Sequence, residues 1–136
     1  MTPRYLLDTN ALSDLIRAPS GEVGRRLRQA GGTNACCSVV NAAELRYGAA
    51  RKGSARLDAK VNALLGTIPV LALPATVDRI YATVRTDLER RGESIGPNDL
   101  LIAAHALHES LVLVTDNVRE FSRVGGLAVE NWRDPA

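Results

Sequence analysis

"YLLDTN", residues 5–10, is an apolar run that stops on an acid. Read as a short buried strand, it places Asp8 at the strand's carboxyl end, and the rest of the chain repeats the pattern. Strand-like runs recur as "RYLL" (4–7), "ACCSVV" (35–40), "IPVLAL" (68–73) and "SLVLVT" (110–115), with a weaker one at "LAVEN" (127–131), each bounded by turn or cap residues. Helical patterns fill the intervals, over 11–17, 21–29, 42–52, 56–65, 77–91 and 99–108, with Asn10, Ser20, Asn41, Thr76 and Asn98 available as caps. Strands alternating with helices need crossover connections, so the expected fold is α/β: a central, mostly parallel sheet flanked by helices in three layers. Residues 1–136 are expected to form one domain, because no repeat, low-complexity tract or linker divides them. The segment "RGESIGPND" (91–99) reads as a mobile loop, with Pro97 setting the entry of the helix that follows.

A chain of 136 residues with 46% hydrophobic content can bury a substantial core, which argues against disorder. The longest charge-free stretch, 61–77, contains Asn62, Gly66, Pro69 and Pro74 and is not a membrane helix. The opening "MTPRYLLDTN" lacks the apolar core of a secretory signal. Cys36 and Cys37 are adjacent within an apolar run, where they read as small buried hydrophobes rather than a disulfide framework. These features together describe a reduced, cytoplasmic protein.

In a parallel sheet, ligand sites form beyond the carboxyl ends of the strands, where the following helices begin. Four acids map to that edge. Asp8 ends the first strand, Glu44 is expected in the first turn of the helix after "ACCSVV", Asp99 opens the helix before "SLVLVT", and Asp116 follows that strand. Each has a local explanation: Asp8 and Asp116 can serve caps or Asx turns, Glu44 stands at capping-box spacing from Asn41, and Asp99 suits a helix dipole. Together they repel, by about 3 kcal/mol for a pair 5 Å apart at an effective dielectric near 20. A hard divalent cation relieves that repulsion, since oxygen ligands from separate elements suit Mg²⁺ or Mn²⁺. An acid-only metal site with open positions can activate water against a phosphodiester, so the cluster points to nuclease chemistry.

The blocks "LLDTNALSDLI", "AELRYGAARK", "GPNDLLIAAHAL" and "LVTDNVREF" resemble the signature blocks of PIN-domain ribonucleases, particularly the VapC toxins of bacterial toxin–antitoxin pairs. The likeness runs in family order over nearly the whole chain, ending near Asn131 and Trp132. By that resemblance Asp8, Glu44 and Asp99 take three acidic positions, with Asp8 and Asp99 holding the metal, and Asn10 and Thr115 support the site. It implies a Mg²⁺-dependent endoribonuclease, with Mn²⁺ able to substitute, that cuts structured cellular RNA such as tRNA anticodon loops. It also implies a VapB-like antitoxin partner and a homodimer.

The family pattern puts Asn117 at the fourth position and leaves Asp116 beside it. If strand geometry persists past Thr115, then Thr115 and Asn117 share a face, and Asp116 reaches the metal only where the chain turns at once. Asp116 is expected to act indirectly, through water or from behind the ligands, because a carboxylate helps a divalent site more than an amide does. Glu120 is an outside candidate should the segment coil into a helical turn.

Net charge is only +2, but setting the four site acids aside leaves 17 basic side chains against 11 acidic ones, a balance of +6 that suits an RNA ligand. Arg46 and Arg85 are the expected RNA contacts. His105 and His108 share a helix face but lack the further ligands zinc requires, and Trp132 reads as a core anchor for the tail. A phosphotransfer module would need paired acids after the first strand, which "DTN" lacks. The remaining alternative is a non-catalytic nucleic-acid-binding co-repressor acting with its antitoxin partner.

Overall fold

The structure, a computed structural model, describes residues 3–134. Five parallel strands form one sheet in the order β3-β2-β1-β4-β5, with β1 (Tyr5–Leu7) central. On one side of it lie β2 (Ala35–Ser38) and β3 (Val70–Leu71); on the other lie β4 (Val112–Val114) and β5 (Val129–Glu130). Among the described residues seven α-helices connect and cover these strands: α1 (Thr9–Arg17), α2 (Glu22–Ala30), α3 (Val39–Lys52), α4 (Ala55–Thr67), α5 (Val77–Arg90), α6 (Pro97–Glu109) and α7 (Val118–Phe121). The α/β architecture is the one the strand–helix alternation predicts.

Successive strand residues face opposite sides of a sheet, and a parallel sheet must bury both. Leu6, Cys36 and Leu113 enter one layer with Leu88, Ile102 and Phe121, while Leu7, Cys37 and Val114 enter the other with Leu12, Leu45 and Trp132. The adjacent cysteines therefore sit on opposite faces, free and buried, and burial pushes their thiols up to about 12 and about 11. Trp132 is buried edge-on to Tyr5, with ring centroids 5.0 Å apart, as expected of an anchor for the tail.

Several boundaries differ from expectation, and at one of them a side chain ends the element sooner than apolarity does. The run "ACCSVV" stops being a strand at Ser38, whose hydroxyl accepts from Val40 N at 3.1 Å while Asn41 Oδ1 accepts from Ser38 N at 3.0 Å. That capping box makes Ser38, not Asn41, the N-cap of α3, so Glu44 falls in the second turn rather than the first. Gly96 rather than Asn98 precedes α6, with Pro97 at its first position, and Gly21 rather than Ser20 precedes α2. Asp8 rather than Asn10 precedes α1, yet its side chain makes no cap hydrogen bond. Only Val70–Leu71 of "IPVLAL" pairs as a strand.

The strand order reverses at β1, which has β2 on one side and β4 on the other. Connections after β1 and β4 leave in different directions there, and the crevice between them is where a doubly wound sheet presents ligands. Asp8 and Thr115 follow those two strands.

Candidate active site

Asp8 is 5% exposed and held by side chains from three elements. Thr115 Oγ1 donates to its Oδ2 at 2.8 Å, Asn10 Nδ2 donates to the same oxygen at 3.0 Å, and Asn41 Nδ2 donates to Oδ1 at 3.2 Å. Asn10 also spans β1 and β4, donating to Thr115 Oγ1 at 3.2 Å and accepting from Asp116 N at 3.2 Å. Burial raises the Asp8 pKa, the Thr115 hydroxyl opposes that shift, and Glu44 and Asp116 add to it by like charge. A buried carboxylate oriented by neutral donors beside other acids can hold a cation, and it makes no helix-cap hydrogen bond.

Glu44 reaches the same place from α3. Thr9 Oγ1 donates to its Oε1 at 2.6 Å and Asn98 Nδ2 to its Oε2 at 3.3 Å, so α1 and α6 both steady it. Asp99, in the first turn of α6, has its pKa raised to about 7, first by burial, then by the charge and hydrogen-bonding contact of Glu120, and then by Asp8 and Glu44. Asp8, Thr9, Asn10, Ser13, Glu44, Asp99, Asp116 and Asn117 line an open basin of about 540 Å³. No basic side chain is among those lining residues, and among the described residues no three acids, histidines or cysteines stand close enough together to hold a metal ion.

Past β4 the chain turns at once. Thr115 N still donates to Glu130 O of β5 at 3.0 Å, but Asn117 N folds back to donate to Thr115 Oγ1 at 3.0 Å, and α7 begins at Val118. The turn brings Asp116 to the rim of the basin, the condition on which its access to a metal depended. Its carboxylate is also engaged by Arg133 of the tail, which is anchored on Asp14 by Nε at 2.5 Å and Nη2 at 2.9 Å. The same turn carries Glu120 to Asp99: its Oε1 accepts from Gly96 N at 3.1 Å, and its Oε2 accepts from Asn117 Nδ2.

The structure does not bring Arg46 or Arg85 to the basin. Arg46 is spent on Asn62 Oδ1 at 2.6 Å, and Arg85 on Glu89 and the Tyr81 hydroxyl one helical turn away on α5, at 3.0 and 2.9 Å. Sequence reading missed Thr9 and Arg133, and it saw Asn41 and Asn98 only as caps. Thr9 and Asn98 adjoin the acids in "DTN" and "PND" and were open to suspicion on that ground; Arg133 carries no local signal.

A parallel sheet with acids gathered at its switch point defines a class. The chain belongs to the PIN-domain family, which matches residues 5–127. Over 95% of its length it is similar to VapC ribonucleases. It is 36% identical to Ribonuclease VapC2 of Haemophilus influenzae, over 95% of this chain and 98% of that one. It is 35% identical to the tRNA(fMet)-specific endonuclease VapC of Shigella flexneri, with the same coverage. Among solved structures, the Rickettsia felis VapBC2 complex bound to a promoter DNA fragment superimposes with a TM-score of 0.86 at 34% identity, covering 97% of this chain and 99% of its counterpart.

Proposed function

We propose that the chain is the toxin of a toxin–antitoxin pair, an endoribonuclease dependent on Mg²⁺, with Mn²⁺ able to substitute. The observation that supports this reading is the buried Asp8, oriented by Thr115, Asn10 and Asn41 at the edge of a basin it shares with Asp99 and Glu44. The chemistry of the donor set suits a hard divalent ion: it is all oxygen, and burial and like charge raise the pKa values of Asp8 and Asp99, a penalty that a bound cation would relieve. When bound, such an ion supplies Lewis acidity that activates water and neutralises charge on the phosphodiester.

In this reading Asp8 and Asp99 hold the cation, and Glu44 and Glu120 flank it. Asn10, Asn41 and Thr115 keep Asp8 aimed, Thr9 and Asn98 aim Glu44, and Asn117 steadies Glu120. Asp116 acts from the rim, through water. The substrate is RNA, and the similarity to a tRNA(fMet)-specific endonuclease makes initiator tRNA the first candidate to test. The similarity to a VapBC complex supports a VapB-like antitoxin as partner, and a homodimer working in the cytoplasm completes the reading. Among the described residues no helix is long and apolar enough to cross a membrane.

The test is direct. Purified protein should cut RNA internally with Mg²⁺ or Mn²⁺ and stop in EDTA, and its expression without an antitoxin should arrest growth. Because water is the nucleophile, products should lack a 2′,3′-cyclic phosphate. Cleavage that continues in EDTA, or cyclic ends, would overturn the mechanism, and absence of any RNA cleavage would favour the binding-only co-repressor.

A further inference from the structure

One buried group has no part in that scheme. His105 lies on α6, six residues after Asp99, and is fully buried. Its Nδ1 is 2.9 Å from Ser38 Oγ, and its Nε2 has no hydrogen-bond partner. Ser38 Oγ already accepts from Val40 N, so in either tautomer one polar hydrogen of the His105–Ser38 pair lacks an acceptor. An unpaired buried donor costs free energy that a leucine at this position would not incur. Burial also lowers the His105 pKa, with His108 in the same sense and Glu109 opposing, which keeps the ring neutral.

The bond to Ser38 leads to the site. Ser38 ends β2 and caps α3, and its N–H donates to Asn41 Oδ1. Asn41 uses its Nδ2 on Asp8 Oδ1 at 3.2 Å and on Thr9 Oγ1 at 3.3 Å, and Thr9 in turn donates to Glu44. One run of hydrogen bonds therefore links α6, which bears Asp99, to the start of α3 and to the acids of β1 and α3.

We propose that His105 is a positioning residue for the cleavage reaction: its imidazole fixes the Ser38 hydroxyl at the β2–α3 junction and thereby holds Asn41 against Asp8. The proposal rests on the nuclease reading above. His105 touches no reacting atom; it acts through Ser38 and Asn41. Partners lying one bond behind a metal ligand, as Asn41 does, typically change metal affinity or activity by about 10- to 100-fold when removed, and His105, two hydrogen bonds further back, should cost no more than the lower end of that range.

The experiment compares His105→Leu, which removes the bond, with His105→Asn, whose side-chain amide can place a polar atom near the Nδ1 position. His105→Leu should lower kcat about tenfold with KM for RNA within about twofold, and should weaken Mn²⁺ binding by the RNA-free protein, measured calorimetrically, by a similar factor. His105→Asn should recover most of both. Ser38→Ala breaks the same bond from its other end, and the His105→Leu/Ser38→Ala double variant should be no worse than the weaker-binding single one. Equal losses in the Leu and Asn variants, additive losses in the double variant, or wild-type kcat and Mn²⁺ affinity in a folded His105→Leu protein would each overturn the proposal. Should His105→Leu fail to fold, Ser38→Ala decides: unchanged Mn²⁺ affinity and cleavage overturn it. A wild-type protein that binds Mn²⁺ but cuts no RNA would instead sink the nuclease reading and leave the Mn²⁺ comparison to judge His105.

Discussion

Asp99 and Glu120 stand carboxyl against carboxyl, one from the first turn of α6 and the other from α7, and together with burial that pairing pushes the Asp99 pKa up to about 7. A carboxyl whose pKa is higher in the folded than in the unfolded chain binds more protons when folded between the two values. Stability in EDTA should therefore fall as pH rises from about 4 to 7 and level off above, because the folded state must then ionise a group it prefers to keep neutral. Asp8, also raised, contributes in the same direction. Thermal melts at low salt should show the slope in wild type and a flatter one in Asp99→Asn. His105, whose pKa burial lowers, works in the opposite direction, so the comparison decides: a pH slope in Asp99→Asn equal to that of wild type would contradict the pairing.

Asp8→Asn and Asp99→Asn should each reduce RNA cleavage to background, since each removes a charged ligand from a hard-cation site. Both variants should fold; Asp99→Asn should melt higher than wild type without metal, because burial and like charge no longer penalise an ionised group there, whereas Asp8→Asn turns an amide NH2 toward the Asn41 or Asn10 donor, which offsets that gain. Wild-type rates for either variant at saturating Mg²⁺ would remove that residue from the site. Loss of folding would show that the carboxylate serves the local structure instead.

Sequence alone discloses Asp8, Glu44 and Asp99 because each sits at a fixed step after a strand or at the start of a helix, and the strand–helix alternation already says which ends share an edge. It discloses less where a side-chain bond overrides apolarity. Ser38 stops β2 inside an apolar run, a decision made by one hydroxyl and one amide. Glu120 could be raised only conditionally, since its place depends on the chain coiling immediately after Asn117. Arg133 was invisible because it meets Asp14 across 119 residues and Asp116 across 17, once β5 and Trp132 have returned the tail to the sheet.

Thr115→Val and Asn41→Ala should weaken Mn²⁺ binding by roughly 10- to 100-fold while leaving the sheet intact, since each removes a donor that aims Asp8. Thr115 also counters the burial of Asp8, so its loss should raise the Asp8 pKa and shift the onset of activity to higher pH. A pH–rate profile of Thr115→Val superimposable on the wild type would show that the hydroxyl does not tune the acid.

The rim gives the sharpest test. Arg133 is anchored on Asp14 by two bonds and spends a third on Asp116, so the Asp116 carboxylate faces the basin already partly neutralised. Arg133 is 40% exposed, and an exposed pair of this kind contributes about 0.2–1 kcal/mol, a factor of up to roughly five in a binding constant. Arg133→Met should therefore lower the Mg²⁺ concentration for half-maximal cleavage by up to about fivefold, because it frees a rim acid and removes a positive charge. Asp116→Ala should raise that concentration and slow cleavage only in part, and it should do so more strongly when combined with Arg133→Met, where the carboxylate is no longer shared. Asn117→Ala acts differently, because Asn117 donates to Glu120; its loss should match that of Glu120→Gln and add little to it. If Asp116→Ala leaves the Mg²⁺ dependence unchanged in both backgrounds while Asn117→Ala impairs cleavage in a Glu120→Gln protein, the fourth place belongs to Asn117 itself, and Asp116 serves only to fasten the tail.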